Sequence, residues 1–317
     1  MSAAMEIVRT DRTADITVLE KGKDYSYGQC GLPYVIGGLV PSTNDVIARS
    51  VNTFREKYGI DARIHTNVTK VDPDLQQVSG INLEDGSSFM IEYDRLLIAT
   101  GVDSLAPDWQ GIHLSGIHSL KTLQDTKQIK EDLTKEINEV TVVGGGYIGL
   151  EMAENFVHLD KKVRLIQRGK QLAPIFDKDM ATIIEQKAKE KGIEIILEEE
   201  VQSFRGNHRV EAVETDKQTY TTDLVLLSIG VTPNTSFLKN TGIHRNDKGA
   251  LVVNRYMQTS IPNVYAAGDC ATQYHIVKQL DDHFPLGTTA NKQGRIAGAN
   301  MADHRLTFKG IVGDFYY

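Results

Sequence analysis

The chain has 317 residues, 40% of them hydrophobic and 24% charged, with a net charge of −7 at neutral pH. That is long enough for two globular domains and too acidic for non-specific nucleic-acid binding, which needs a basic face. No apolar run reaches the ~18 residues of a membrane span, the start reads as no secretory leader, and two distant cysteines make no disulphide framework, so a soluble protein of the reducing cytoplasm is expected.

In chain order, "MSAAMEIVRTD" predicts a helix and "ADITVLEKG" a β-branched strand closed by an acid, Glu20. "SYGQCGLPYVIGG" follows, with the lone Cys30 in front of Gly-Leu-Pro. "DRLLIATGVDS" is an apolar strand running into Thr100 and Gly101. "EVTVVGGGYIGLEMAENF" reads as strand, glycine turn and helix, with Ile148, Met152, Ala153 and Phe156 at helical spacing. "KKVRLIQRG" is the next strand, and "DKDMATIIEQKAKEKG" an amphipathic helix stopped by Gly192. "TTDLVLLSIGVTPNT" is a strand ending in a glycine turn at Gly230, and "NVYAAGDCA" a strand ending at Gly268 and Asp269. "PLGTTANKQGRIAGANMA" predicts a helix of small residues. Alternating strands and helices argue an α/β class, and a βαβ unit ending in a strand and glycine turn occurs twice. The nine histidines show no ligand spacing with cysteines or carboxylates, so no metal site is expected.

Gly144, Gly146 and Gly149 satisfy G-x-G-x-x-G between a strand and a helix, the context in which that pattern carries a mechanism. The first glycine permits the tight turn, the second lets a pyrophosphate approach the backbone, and the third lets helix and strand pack closely. The helix start then offers free N–H groups to phosphate. The ribose-reading position, ~20 residues on, falls at Gln167 and Arg168. An acid there favours a free 2′-hydroxyl, whereas a guanidinium leans towards a 2′-phosphate. Glu20 ends its own strand in the same way and could hold the ribose of a second dinucleotide. Its strand and glycine turn should precede the helix over residues 1–11, and they are absent from this sequence.

Together these segments resemble the pyridine nucleotide-disulphide oxidoreductases over nearly the whole chain. The resemblance implies an α/β, glutathione reductase-like fold of two Rossmann-like βαβ dinucleotide-binding domains in three layers. An FAD-binding domain would comprise residues 1–112 and 236–317, and an inserted NAD(P)H-binding domain residues 113–235. "IATG", "SIGVTPNT" and "NVYAAGDCA" match the family's strand-turns, and Asp269 matches the aspartate that meets the ribityl chain. "TTANKQGR" matches the helix aimed at the flavin, whose positive end suits the reduced, anionic ring. The resemblance thus assigns FAD to Glu20, Lys21, Val68, Thr100, Gly101, Asp269 and Ala290. NADPH or NADH goes to Gly144, Gly146, Tyr147, Ile148, Gly149, Glu151, Gln167, Arg168 and Gly230. Tyr147 matches the residue that gates the nicotinamide pocket, and Glu151 the carboxylate near the nicotinamide amide.

The cysteine narrows the branch. Glutathione- and lipoamide-type members carry Cys-x4-Cys, but Val35 stands where the second cysteine would be. "SYGQCGLPY" is instead similar to the single-cysteine branch: CoA-disulphide reductases, NADH oxidases, NADH peroxidases and persulphide reductases. In that branch Cys30 would be the nucleophile, cycling as a mixed disulphide with CoA or as a sulphenic acid. A thiol placed at a helix start is favoured as the reactive thiolate. Arg9, Ser26, Gln29 and Asn291 match substrate contacts, and Gln29 departs from the asparagine often found there. The expected activity is reduction of CoA disulphide by NAD(P)H and FAD. Oxygen, peroxide or a persulphide is the alternative acceptor, and an inactive remnant that only binds NAD(P)H is a second alternative. The family continues beyond "FKG" (Phe308 to Gly310) into a dimerisation domain, so the C-terminal domain that makes the homodimer is expected to be missing.

Overall fold

The structure is a computed structural model and describes residues 1–312. The chain divides into two compact units, one of residues 1–27, 47–103 and 232–312, the other of residues 28–46 and 104–231. Six α-helices recur below: α1 (Ser2–Thr10), α2 (Leu32–Ile36), α3 (Leu123–Asp132), α4 (Tyr147–His158), α5 (Lys178–Glu190) and α6 (Gly287–Met301).

The second unit is built on a five-stranded parallel sheet. Its strand order is Glu194–Leu197, Lys162–Gln167, Glu139–Val143, Leu224–Leu227, Ile117–Ser119. The central strand is buried from Val140 to Val143, and Leu224–Leu227 beside it is buried throughout. Near-continuous apolar runs of this kind are what a parallel sheet covered on both faces demands. Helix α4 crosses over between two of these strands, burying Met152, Ala153 and Phe156 completely. Ile148, expected on the same apolar stripe, is instead 40% exposed, because it lies in the first turn of α4, directly after the glycine turn. Helix α5 stops as expected, with Gly192 at φ +84° just past its end, a left-handed position that glycine takes without penalty. Helix α3 opens on a capping box in which Thr122 and Asp125 satisfy each other's backbone N–H groups.

Residues 28–46, expected with the first domain, group with the second unit. The reason is close packing of α2 against α3 and α4. The Lys130 ammonium donates to the Val35 carbonyl at 3.2 Å, and a side chain at Gly37 would collide with the buried Asn155 amide.

The first unit holds two parallel pairs, Thr17–Leu19 with Asp61–Arg63 and Leu96–Ile98 with Val264–Ala266. The strand in "DRLLIATGVDS" ends before Thr100 and Gly101 as expected, with Gly101 at φ +67°, and a further short strand, Val102–Ser104, follows the turn. The unit also holds a three-stranded antiparallel sheet (Thr66–Asp72, Gln77–Asn82, Ser88–Glu92), which no motif in the sequence marks, and a hairpin of Gln273–His275 and Leu280–Asp282. Its main core gathers Ile98, Leu238, Leu251, Met257, Val264, Ala266, Cys270, Ala297 and Phe308. The small residues of α6 have a purpose: any side chain at Gly298 would strike the Ala3 carbonyl of α1. Among the described residues no helix is long and apolar enough to cross a membrane.

Candidate functional site

The glycine turn of the second unit has the geometry its spacing predicts. Gly144 adopts φ +103° and donates its N–H to Ile166 O at 2.8 Å, and an added Cβ would meet the Ser228 carbonyl. At Gly149 an added Cβ would strike the Gly144 carbonyl, so helix and turn touch there. Gly146, the N-cap of α4, is different, because nothing lies within 4 Å of where its Cβ would be. This open cradle faces a helix start with no side-chain cap and no acidic residue in its first turn. It therefore fits a dinucleotide's pyrophosphate, which needs close backbone approach and unclaimed N–H groups. Gly230, at φ +116°, is equally open.

Around this turn stand the other expected nucleotide residues. Tyr147 is 45% exposed and stacks edge-on against Phe176 at 6.1 Å. Glu151 lies one turn further along α4, half-buried, and burial pushes its carboxyl above the ordinary carboxylate range. The Gln167 amide oxygen accepts the Gly145 N–H at 3.2 Å. Arg168 is exposed, with its nearest carboxylate, Glu200, at 3.8 Å. Sequence reasoning gave no role to Ser228, whose hydroxyl donates to the Gly144 carbonyl at 2.8 Å and clasps the turn from the neighbouring strand. Its place directly after the apolar run "LVLL" was the available signal.

In the first unit, Glu20 follows the strand Thr17–Leu19 and its carboxylate accepts the Gly22 N–H at 2.7 Å. Lys21 is exposed, and Val68 sits at a register shift in the strand Thr66–Asp72. The Thr100 hydroxyl donates to Asn234 O at 2.6 Å, and Gly101 O accepts the Asn234 N–H at 2.9 Å. The Gly268–Asp269 turn is tied to α6 by the fully buried Gln293, whose amide oxygen accepts the Gly268 N–H at 2.9 Å while its nitrogen donates to Thr272 O. Gln293 had no assigned role in the sequence, since an amide inside a small-residue helix carries no signature. Ala290 packs on the same glycine, 3.5 Å from where its Cβ would be. The start of α6 has no side-chain cap. Glu20, the Asp269 turn and the α6 terminus thus suit FAD's ribose, ribityl chain and ring. A glycine turn of the Gly144 kind, for its pyrophosphate, is not found among the described residues of this unit.

The substrate candidates divide between the units. Arg9 is exposed and pairs at 3.1 Å with Glu6 on its own helix, while Asn291 of α6 donates to the Ser2 hydroxyl at 3.0 Å. Ser26, at φ +48°, is backbone-bonded to Ala48. In the second unit Gln29 and Cys30 are exposed in a 3₁₀ turn, Gln29–Gly31, that leads directly into α2. Both cysteines are free, and Cys270 is completely buried beneath the Ile98 and Ala267 carbonyls.

Known proteins resemble this chain over nearly its whole length. A NAD(P)H sulfur oxidoreductase (CoA-dependent) of Pyrococcus abyssi is 37% identical over 315 residues, which cover 99% of this chain and 69% of that protein. A NAD(P)H coenzyme A polysulfide/persulfide reductase of Pyrococcus horikoshii is 37% identical over 316 residues, again 99% of this chain and 69% of the relative. The solved structure of a NAD-dependent persulfide reductase from A. fulgidus matches with a TM-score of 0.94 at 33% identity, and the match covers 98% of this chain but 58% of that one. Residues 1–294 match the family model described as pyridine nucleotide-disulphide oxidoreductase. The chain belongs to the pyridine nucleotide-disulphide oxidoreductase family.

Proposed function

We propose that the chain is an NAD(P)H-dependent flavoprotein that reduces a sulfur–sulfur bond carried by coenzyme A, as the disulphide or a persulphide, with Cys30 as nucleophile. The observation that carries this reading is the state of the two thiols. Cys30 is exposed and free, and Cys270 is buried. An accessible thiol without an internal partner exchanges with an external sulfur. The names of the relatives that are 37% identical favour a CoA-linked sulfur acceptor.

In the first half-reaction, Cys30 as thiolate attacks one sulfur of R–S–S–R′. A Cys30–S–SR bond forms, the S–S bond breaks and R′S⁻ leaves. Two electrons and a proton then restore the Cys30 thiolate and release RSH. The sum is NAD(P)H + H⁺ + RSSR′ → NAD(P)⁺ + RSH + R′SH. Bound FAD would supply a carrier for the electron pair between nicotinamide and sulfur. The chain's own residues bind and orient: the Gly144 turn and the α4 N-terminus take the nicotinamide dinucleotide's pyrophosphate, with Tyr147 and Glu151 flanking its nicotinamide. Glu20, the Asp269 turn and α6 would hold the flavin nucleotide. A reducing cytoplasm suits a thiol kept free in this way.

Replacing Cys30 with Ser tests the reading. NADPH-driven thiol release from CoA disulphide and from CoA persulphide is expected to fall to background, while NADPH binding, followed by its fluorescence, stays at the wild-type level. Turnover retained in Cys30→Ser would remove Cys30 from the chemistry.

A further inference from the structure

One charge arrangement at the nucleotide end of the second unit has no part in the reading above. The strands Lys162–Gln167 and Glu194–Leu197 pair as far as Gln167 and Leu197, and two backbone bonds link the turns that follow them. Glu198 N–H donates to Gly169 O at 3.1 Å and Glu199 N–H to Gln167 O at 3.4 Å. The acidic run Glu198-Glu199-Glu200 is therefore laid along Gln167-Arg168-Gly169. Its members have different fates. Glu199 turns inward, 7% exposed, and accepts from the Thr215 hydroxyl at 2.8 Å and the Tyr220 hydroxyl at 2.9 Å. Glu200 stays outside, held at its backbone N–H by the Asp216 carboxylate at 2.9 Å, with its own carboxylate 3.8 Å from the Arg168 guanidinium. Gln167 brings no charge, and its amide oxygen is already taken by Gly145.

We propose that Glu200 is a specificity-determining residue that weakens selection for a 2′-phosphate by competing for Arg168. This rests on the reading that the Gly144 turn holds a nicotinamide dinucleotide. With a 2′-hydroxyl ligand, the Arg168–Glu200 pair stays intact and the ribose meets no net charge. With a 2′-phosphate, the guanidinium has to leave Glu200 for the ligand, and the abandoned carboxylate then faces a second anion. The pair is exposed, so the effect is several-fold rather than orders of magnitude. The consequence is an enzyme that accepts both nicotinamide dinucleotides. A lone arginine at the strand end would have selected NADPH.

The test is calorimetric titration of the full chain at low ionic strength with 2′,5′-ADP and with 5′-ADP, for wild type, Glu200→Gln and Arg168→Ala. Glu200→Gln is expected to tighten 2′,5′-ADP by about threefold to tenfold and to leave 5′-ADP within about twofold, the gain shrinking as salt is added. Arg168→Ala is expected to weaken 2′,5′-ADP alone. An equal change for both ligands in Glu200→Gln, or none for 2′,5′-ADP, overturns the proposal. If 5′-ADP binds while either result is obtained, the dinucleotide reading stands and only the role of Glu200 falls. If wild type binds neither ligand, the dinucleotide reading falls and takes the proposal with it.

Discussion

Gly146 and Gly149 lie three residues apart at one helix start, yet their missing side chains answer different demands. The space beside Gly146 is open and its φ is −78°, a value any residue adopts. Alanine there keeps the fold and fills the pyrophosphate's approach. Gly149 faces the Gly144 carbonyl, so alanine there forces backbone apart. We expect Gly146→Ala to melt like wild type but to lose about tenfold or more in NADPH affinity, a change of about 1.4 kcal/mol. Gly149→Ala should lower stability by about 1–3 kcal/mol. Thermal melts beside fluorescence titrations separate the two, and a stability loss in Gly146→Ala would argue against a ligand cradle. The cysteines contrast in the same way. Burial pushes the Cys270 thiol up, which disfavours the reactive thiolate. Native iodoacetamide labelling read by mass spectrometry should therefore modify Cys30 and reach Cys270 only after denaturation. Equal labelling rates would contradict the burial on which the exchange chemistry depends.

At the scale of elements, the edge strand Ile117–Ser119 and helix α3 are joined by charge. The Asp132 carboxylate lies 2.7 Å from the His118 Nε2 and accepts from the Arg209 guanidinium at 2.6 Å, and Arg209 also donates to Asp223 O at 3.1 Å. Burial raises the Asp132 carboxyl, but Arg209 and His118 together outweigh it and hold the group below the ordinary carboxylate value. A carboxyl depressed in the folded state contributes stability that is full above its unfolded pKa and is lost as pH falls through its folded one. Asp132→Asn should thus cost about 1 kcal/mol at neutral pH. Its deficit against wild type should close at acid pH, below about 3.9, the ordinary aspartate value. Denaturant melts across that range read this directly, and a deficit independent of pH would mean that the carboxylate's charge is not what joins the elements. The α1–α6 contact combines an ion pair, Arg295 to Glu6 at 3.7 Å, with close steric packing. Gly298→Ala should destabilise by about 1–3 kcal/mol because the Ala3 carbonyl occupies the place of its Cβ.

At the scale of the molecule, the parallel architecture was legible because covered strands advertise themselves. Val140–Val143 and Leu224–Leu227 are buried runs, and the glycines that follow them, Gly144 and Gly230, have positive φ values that permit the turns. The antiparallel sheet over 66–92 was not, since Ile81 and Met90 on its strands are exposed and blur the alternation that marks a half-buried strand. The grouping of 28–46 with the second unit was also hidden, because it depends on Gly37 meeting Asn155 far along the chain. The site was legible where a turn dictates residue type, as at Gly144, and not where a side chain acts across elements, as Gln293 and Glu200 do. The two units make a final expectation separable by ligand. A bound ligand slows amide exchange where it ties down backbone N–H groups, because opening must then release it as well. With the full chain, NADPH should raise protection at 143–149 and 167–170, and FAD at 18–22, 98–101, 268–272 and 287–293. Segment-resolved exchange by mass spectrometry distinguishes the two patterns. Protection by NADPH with none from FAD would leave a nicotinamide-binding protein without flavin chemistry. Protection by FAD in the second unit's turn would reverse the assignment of the two dinucleotides.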